Sequence, residues 1–83
     1  MTGRIHVDFE AGEGALLRMV GLVERRGFVV SGVSMAALEG RGSLSLAVEP
    51  RDASRRLEVI AAQLRRLVDV RNVSINPCEP GAS

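Results

Sequence analysis

The 83-residue sequence contains few of the side chains on which disulfide, metal and catalytic sites most often depend. It has one cysteine, one histidine, no tryptophan and no tyrosine, and all eleven of its basic residues are arginine. One cysteine excludes an intramolecular disulfide and a cysteine-based zinc site, and it fits a reducing compartment. One histidine excludes a histidine-rich metal centre. The absence of lysine excludes Schiff-base chemistry and a P-loop lysine that holds phosphate.

Balanced charge and short apolar runs narrow the choice of partners. Eleven basic and ten acidic residues leave a formal net charge of +1, which gives no electrostatic reason to expect nucleic acid or an anionic membrane as the main partner. The longest apolar runs, such as residues 35–38, are far too short to span a membrane, and the amino terminus has no signal-peptide core. We therefore expect one small, soluble, cytoplasmic domain.

Hydrophobic periodicity predicts six elements in the order strand, helix, strand, strand, helix, strand. The apolar and polar side chains alternate in the strands, whereas the helices each have one apolar stripe. The predicted strands cover residues 4–10, 28–38, 43–49 and 69–76, and the predicted helices cover residues 14–26 and 52–66.

Single residues refine these predictions. The alternation changes parity around Gly32, which predicts a bulge or a bend in the second strand. Asp52 is expected to be the N-cap of the second helix, whose apolar stripe would include Ala53 and Val68. Residues 1–76 then form one domain. The proline-containing segment 77–83, with Cys78, is expected to be a flexible tail.

This order of elements predicts an α+β fold of the ferredoxin-like βαββαβ type. Both helices would cover one face of a four-stranded antiparallel sheet, with strands one and three in the middle. The second strand would then be a long edge strand without lysine or proline to protect it. Pairing of two copies along this edge would cover it; the alternative is that the bend at Gly32 keeps a monomer soluble. The predicted dimer edge comprises Val29, Val30, Ser31, Val33 and Met35.

The exposed sheet face offers little for chemistry. RNA-binding versions of this fold stack bases on aromatic side chains, but both aromatics, Phe9 and Phe28, are expected in the core. His6 and Asp8 share one strand face near Ser45, and we interpret them as solvated polar residues. Cys78 has no evident base and is interpreted as an incidental thiol. We expect no catalytic residue and no metal site in this chain.

The first loop is a candidate binding site. Gly12, Gly14 and Ala15 are small residues at a helix N-terminus, where free N–H groups favour a carboxylate and a ligand can reach the backbone. The alternative is that Glu13 itself satisfies these donors. Spacing alone does not decide between the two interpretations.

Several separated segments resemble one family. Residues 14–28 read GALLRMVGLVERRGF, and residues 33–37 and 63–70 read VSMAA and QLRRLVDV. These segments resemble the ACT domain of the small regulatory subunits of acetolactate (acetohydroxyacid) synthase. The resemblance covers about residues 4–75, and the short length and the segment around Met35 are most similar to the isozyme II type.

The resemblance implies a regulatory function in branched-chain amino acid (valine, leucine, isoleucine) biosynthesis. It implies side-by-side homodimers and a large catalytic partner that carries thiamine diphosphate, FAD and magnesium, with no cofactor in this chain. In valine-sensitive members the loop after strand one holds the effector, and Gly14 and Ala15 match that motif. Ala11 replaces the usual polar residue, and the lost hydrogen bond is worth about 1–3 kcal/mol. We therefore expect weak or absent valine binding. The alternative function is a free-standing ACT-domain amino-acid sensor that acts on another partner.

Overall fold

Six elements form a two-layer α/β sandwich in the computed structural model, which describes residues 3–52 and 54–77. The strands are β1 (Gly3–Glu10), β2 (Phe28–Leu38), β3 (Arg41–Pro50) and β4 (Val70–Pro77), and the helices are α1 (Ala15–Arg25) and α2 (Leu57–Arg65). The sheet order is β2-β3-β1-β4, with every pairing antiparallel. The predicted fold, with β1 and β3 in the middle, is confirmed. Ala53 and the segment 78–83, including Cys78, lie outside the described residues.

The core lies between the sheet and the two helices. Along β1 every second side chain is buried, as the alternation predicts. The buried apolar residues of β3 lie beside those of β1 in register, and α1 and α2 close the layer from one side. The buried set consists of Ile5, Val7, Phe9, Ala15, Met19, Val23, Phe28, Leu44, Leu46, Val48, Ile60, Ala61, Leu64 and Val73.

The predicted bulge in the second strand is confirmed. Val30 pairs with Val48 and Gly32 with Ala47, so Ser31 is the extra residue of β2. The Ser31 hydroxyl donates a hydrogen bond to the Ala47 carbonyl over 3.2 Å. The extra residue shifts the alternation by one, which keeps apolar side chains on the helix side of β2 both before and after the bulge.

The hairpin between β2 and β3 is tighter than the four-residue loop that the sequence indicates. Leu38 pairs directly with Arg41, so only Glu39 and Gly40 make the turn. Both have positive φ, 52° and 80°, which is the geometry of a type I′ turn. Arg41 and Gly42 belong to β3 because a turn of this type needs only two residues.

The predicted start of the second helix is wrong. Asp52 does not cap a helix; its carboxylate accepts hydrogen bonds from the Ser54 N–H, at 2.9 Å, and from the Ser54 hydroxyl. Aspartate offers the backbone this local turn as an alternative to helix initiation. α2 begins only at Leu57 and ends at Arg65. Val68, predicted to lie in its apolar stripe, follows the helix and is 95% exposed.

Candidate effector loop and dimer edge

The loop between β1 and α1 is fixed at both of its ends. At its start, the Ala11 N–H donates to the Gly40 carbonyl over 2.8 Å, which ties the loop to the β2–β3 turn. At its end, Gly14 is the N-cap of α1 with φ of 78°, a conformation that glycine adopts without steric cost. The Arg18 N–H closes the first helical turn on the Gly14 carbonyl over 3.0 Å.

The three predicted loop residues lie together but do not play the same part. Gly12 and Gly14 are exposed, and a methyl group added at Gly12 would meet no atom within 4 Å. Ala15 is buried in the core, and its N–H donates to the Gly12 carbonyl over 3.2 Å. Only the two glycines therefore offer backbone to a ligand. The alternative, that the Glu13 side chain caps the helix, has no support among the described residues, since α1 has no side-chain cap.

An ion pair beside this loop could not be found from sequence patterns. Arg18 on α1 contacts the Asp69 carboxylate, and the Asp69 carbonyl accepts a hydrogen bond from the Glu10 N–H over 2.7 Å. The Arg18 guanidinium also lies 3.3 Å from the position that a Gly14 Cβ would occupy. The cationic member of this ion pair thus lies next to the open glycine backbone. Sequence spacing does not reveal the pair because its members are 51 residues apart.

The predicted dimer edge is exposed at four of its five residues, all except Val30. Val29 points to the open face of the sheet, and Val33 and Met35 point to the helix side, where they are 53% and 45% exposed. Val30 packs against the core, and Ser31 is held in the bulge. Within the described part of the chain β2 pairs with β3 alone, so its outer row of backbone groups has no partner strand there.

The second half of β2 is uncovered on its helix side. Leu46 and Leu44, which pair with Val33 and Met35 on β3, are fully buried, so the exposure is confined to the edge strand. We call Val33, Met35 and Ala37 the apolar overhang, because they share the helix-side face but are all exposed. Leu17 on α1 is also exposed, at 77%. An uncovered apolar strip next to an unpaired strand edge is typical of an interface.

The polar residues of the open sheet face lie in register across β3, β1 and β4. His6 lies opposite Ser45 and Ser74, and Asp8 lies opposite Ser43 and Asn72. Over residues 3–52 and 54–77, no three His, Cys, Asp or Glu side chains stand close enough together to hold a metal ion. In the same ranges no helix is both long and apolar enough to cross a membrane.

A family model and one related protein indicate the same family. The family model for the ACT domain matches residues 12–73. The "Probable acetolactate synthase small subunit" of Methanothermobacter thermautotrophicus is 34% identical over 70 residues, which are 84% of this chain and 40% of that protein. The chain therefore spans about two fifths of the length of this relative.

Solved structures share the fold. The acetolactate synthase small subunit from Thermotoga maritima superimposes with a TM-score of 0.74 at 24% identity, over 99% of this chain and 50% of that chain. The ACT domain from GTP pyrophosphokinase of Chlorobium tepidum gives a TM-score of 0.76 at 16% identity, over 90% of this chain and 96% of that chain. At these identities the structures support the fold alone.

Proposed function

The chain belongs to the ACT domain family, and we propose that it acts as a non-catalytic regulatory subunit of an acetolactate synthase in branched-chain amino acid biosynthesis. The observation that carries the proposal is the 34% identity to a probable acetolactate synthase small subunit over 84% of this chain. The partner would be the large catalytic subunit. Thiamine diphosphate, FAD and magnesium would belong to that partner, and this chain would carry none of them.

The proposed subunit works as a homodimer joined along β2. A two-fold axis at this edge would pair β2 with β2 of the second copy in antiparallel fashion and extend the sheet to eight strands. In such a pair, the half of β2 that α1 covers lies beside the uncovered half of the other β2. Each α1 would then flank the apolar overhang of the other copy. The overhang of Val33, Met35 and Ala37 supports this arrangement because it provides apolar surface on the side where that helix would lie.

The effector site of this dimer would be the loop that contains Gly12 and Gly14. Both glycines are exposed, so an amino acid could reach their backbone. Ala11 has no polar side chain to offer, and its N–H is already bonded to Gly40. Compared with a loop that has a polar residue there, the affinity for valine would fall by roughly 5- to 150-fold. We therefore expect activation of the catalytic subunit with weak feedback inhibition by valine or none.

The dimer is tested by placing a charge on the overhang. Val33→Asp buries an unpaired carboxylate in the proposed interface, and we expect dissociation to a monomer in analytical ultracentrifugation. Val68→Asp is the matched control, since Val68 is 95% exposed and lies between α2 and β4, the strand at the opposite edge of the sheet from β2, and this variant should remain dimeric. A wild-type chain that stays monomeric at high concentration, or a Val33→Asp variant that stays dimeric, would contradict the proposed interface.

The regulatory role is tested separately with the catalytic partner. The chain is mixed with an acetolactate synthase large subunit, and complex formation and pyruvate condensation are measured with and without valine. We expect a stable complex and higher turnover. The large subunit used should be one encoded beside this chain's gene. If it forms no complex and its turnover does not rise, the regulatory role is contradicted even if the homodimer exists.

One observation favours a second function, that of an amino-acid sensor. The exposed Gly12–Gly14 backbone next to Arg18 is a suitable place for the carboxylate of an amino acid. A free-standing amino-acid sensor would show a large thermal shift with its amino acid and no effect on a synthase. The regulatory subunit requires the effect on the synthase and can lack the thermal shift.

A further inference from the structure

A small basic cavity lies at the end of the molecule where α1 finishes and α2 begins. Its volume is about 130 Å³, below the range of about 300–1,000 Å³ of drug-sized sites. Three arginines line it, Arg26 from the end of α1 and Arg55 and Arg56 from the segment before α2. Phe28, Ser54, Val59 and Ile60 complete its walls, so none of the described residues that line it carries a carboxylate. The space suits an ion or a small charged group.

The fold provides room for one of these guanidinium groups. Gly27 is buried with φ of 95°, and a Cβ there would stand within 3.0 Å of three Arg55 side-chain atoms. The Gly27 carbonyl accepts a hydrogen bond from the Arg51 N–H over 2.8 Å, which holds the two segments together. Any larger residue at Gly27 would displace the Arg55 side chain. The glycine therefore leaves space for this guanidinium beside the cavity.

The arginines keep most of their donors free for a ligand. Among the described residues, Arg26 donates one hydrogen bond, to the Gln63 side chain over 3.4 Å, and Arg55 contacts the Asp52 carboxylate through Nε at 3.6 Å. Each guanidinium has five N–H donors, so the terminal nitrogens of Arg55 remain available. Forked donors of this kind match the oxygens of phosphate and carboxylate groups.

Acidic side chains neutralise the positive charge around the cavity only in part. Arg56 is the N-cap of α2 and gives no capping hydrogen bond, so cations stand at the positive end of the helix dipole. Glu58 in the first turn offsets part of this charge, and so does Asp52, which forms an ion pair with Arg55 and also accepts a hydrogen bond from Ser54. A bound anion would accept hydrogen bonds from the arginines and would also lie at the positive end of the α2 dipole.

We propose that this cavity binds a small oxyanion, phosphate or carboxylate, between Arg26, Arg55 and Arg56. This site is separate from the Gly12–Gly14 loop and does not depend on a catalytic partner. Binding would connect the end of α1 to the start of α2, and so would join the two helices at the end away from the β1–α1 loop.

The test uses the purified chain and two-dimensional NMR, with calorimetry for affinity. Sodium phosphate and sodium acetate are titrated separately against sodium chloride at equal ionic strength. We expect saturable shifts of the Leu57 and Glu58 amides with one of the two anions. Arg55→Gln and Arg56→Gln should each weaken binding by about tenfold or more. Arg4→Gln, an exposed arginine on the open sheet face, should change it by less than about twofold.

Three results would overturn the proposal. The first is amide shifts that grow linearly with concentration, without saturating, for both anions. The second is an equal loss of anion affinity in Arg4→Gln and Arg55→Gln. The third is saturable shifts confined to the Gly12–Gly14 loop. If Arg55→Gln does not fold, Arg56→Gln decides alone, since Arg56 is exposed and lies outside the core. Neither readout involves a synthase, so failure of this site and failure of the regulatory role remain distinguishable.

Discussion

Replacing Gly42 by alanine tests how the central strands pack. Gly42 on β3 lies opposite Phe9 on β1, and a Cβ added to Gly42 would stand within 3.0 Å of three atoms of the Phe9 ring. The ring is buried, so it cannot move into solvent. Overpacking of this kind costs about 1–3 kcal/mol, while replacing a strand glycine by alanine returns about 0.5–1 kcal/mol of backbone entropy. The free energy of unfolding should therefore fall by up to about 2.5 kcal/mol, with about 1 kcal/mol as the central value.

The assay is chemical and thermal unfolding at one fixed protein concentration, because association adds to the apparent stability. A loss of this size lowers Tm by about 4–8 °C for each kcal/mol in a domain of this length. Gly21→Ala is the matched control, since Gly21 lies in α1 and an added Cβ meets no atom within 4 Å. It should gain about 0.5–1 kcal/mol from helix propensity. A Gly42→Ala variant as stable as Gly21→Ala would refute the packing argument.

Two further predictions concern the turns. Glu39 has φ of 52° in the two-residue turn, a conformation that asparagine tolerates better than glutamate does. Glu39→Asn should therefore raise the free energy of unfolding, measured by urea titration, by about 0.5–1 kcal/mol. An unchanged urea midpoint would contradict this prediction. The hydrogen bonds from the Ser54 side chain and N–H lower the pKa of Asp52 below its usual value of 3.8. Because the lowered pKa belongs to the folded state, the stabilisation is present above pH 3.8 and is lost as the pH falls through the folded-state pKa. The stability difference between wild type and Asp52→Asn should be constant near neutral pH and vanish in acid; a difference that persists in strong acid would contradict it.

The elements that the sequence predicted best are those whose signals are local. The alternation in β1 and the single apolar stripe of α1 each specify one buried face, and the structure buries those faces. The bulge at Ser31 was also predictable, because a strand whose alternation changes parity needs one extra residue to keep its apolar side chains on one face. The sheet order followed from the element order, since a split βαβ arrangement leaves the second and fourth strands at the edges.

The start of α2 was not predictable in the same way. Asp52 is a good N-cap by residue type, but the same carboxylate also accepts hydrogen bonds from Ser54 two residues later. These two local structures compete for one acceptor. The turn prevails here, and α2 begins five residues later without a side-chain cap. Residue preferences for helix caps contain no information about which competitor prevails.

The candidate sites depend on distances that residue patterns do not encode. Val33 and Met35 have the parity of core residues, yet both are exposed, whereas Leu46 and Leu44, which pair with them on β3, are buried. The two helices therefore leave this part of the edge strand open. The sequence alone identified the unprotected edge, but the position of the helices over the sheet is a tertiary feature. The open edge also gives a reason for the proposed dimer, because the helix-side residues in the second half of β2 are all exposed. A second copy, related by a two-fold axis, would supply α1 where the first copy has none. Pairing of the edge and covering of the overhang would then occur in one step, so Val33→Asp should abolish both together.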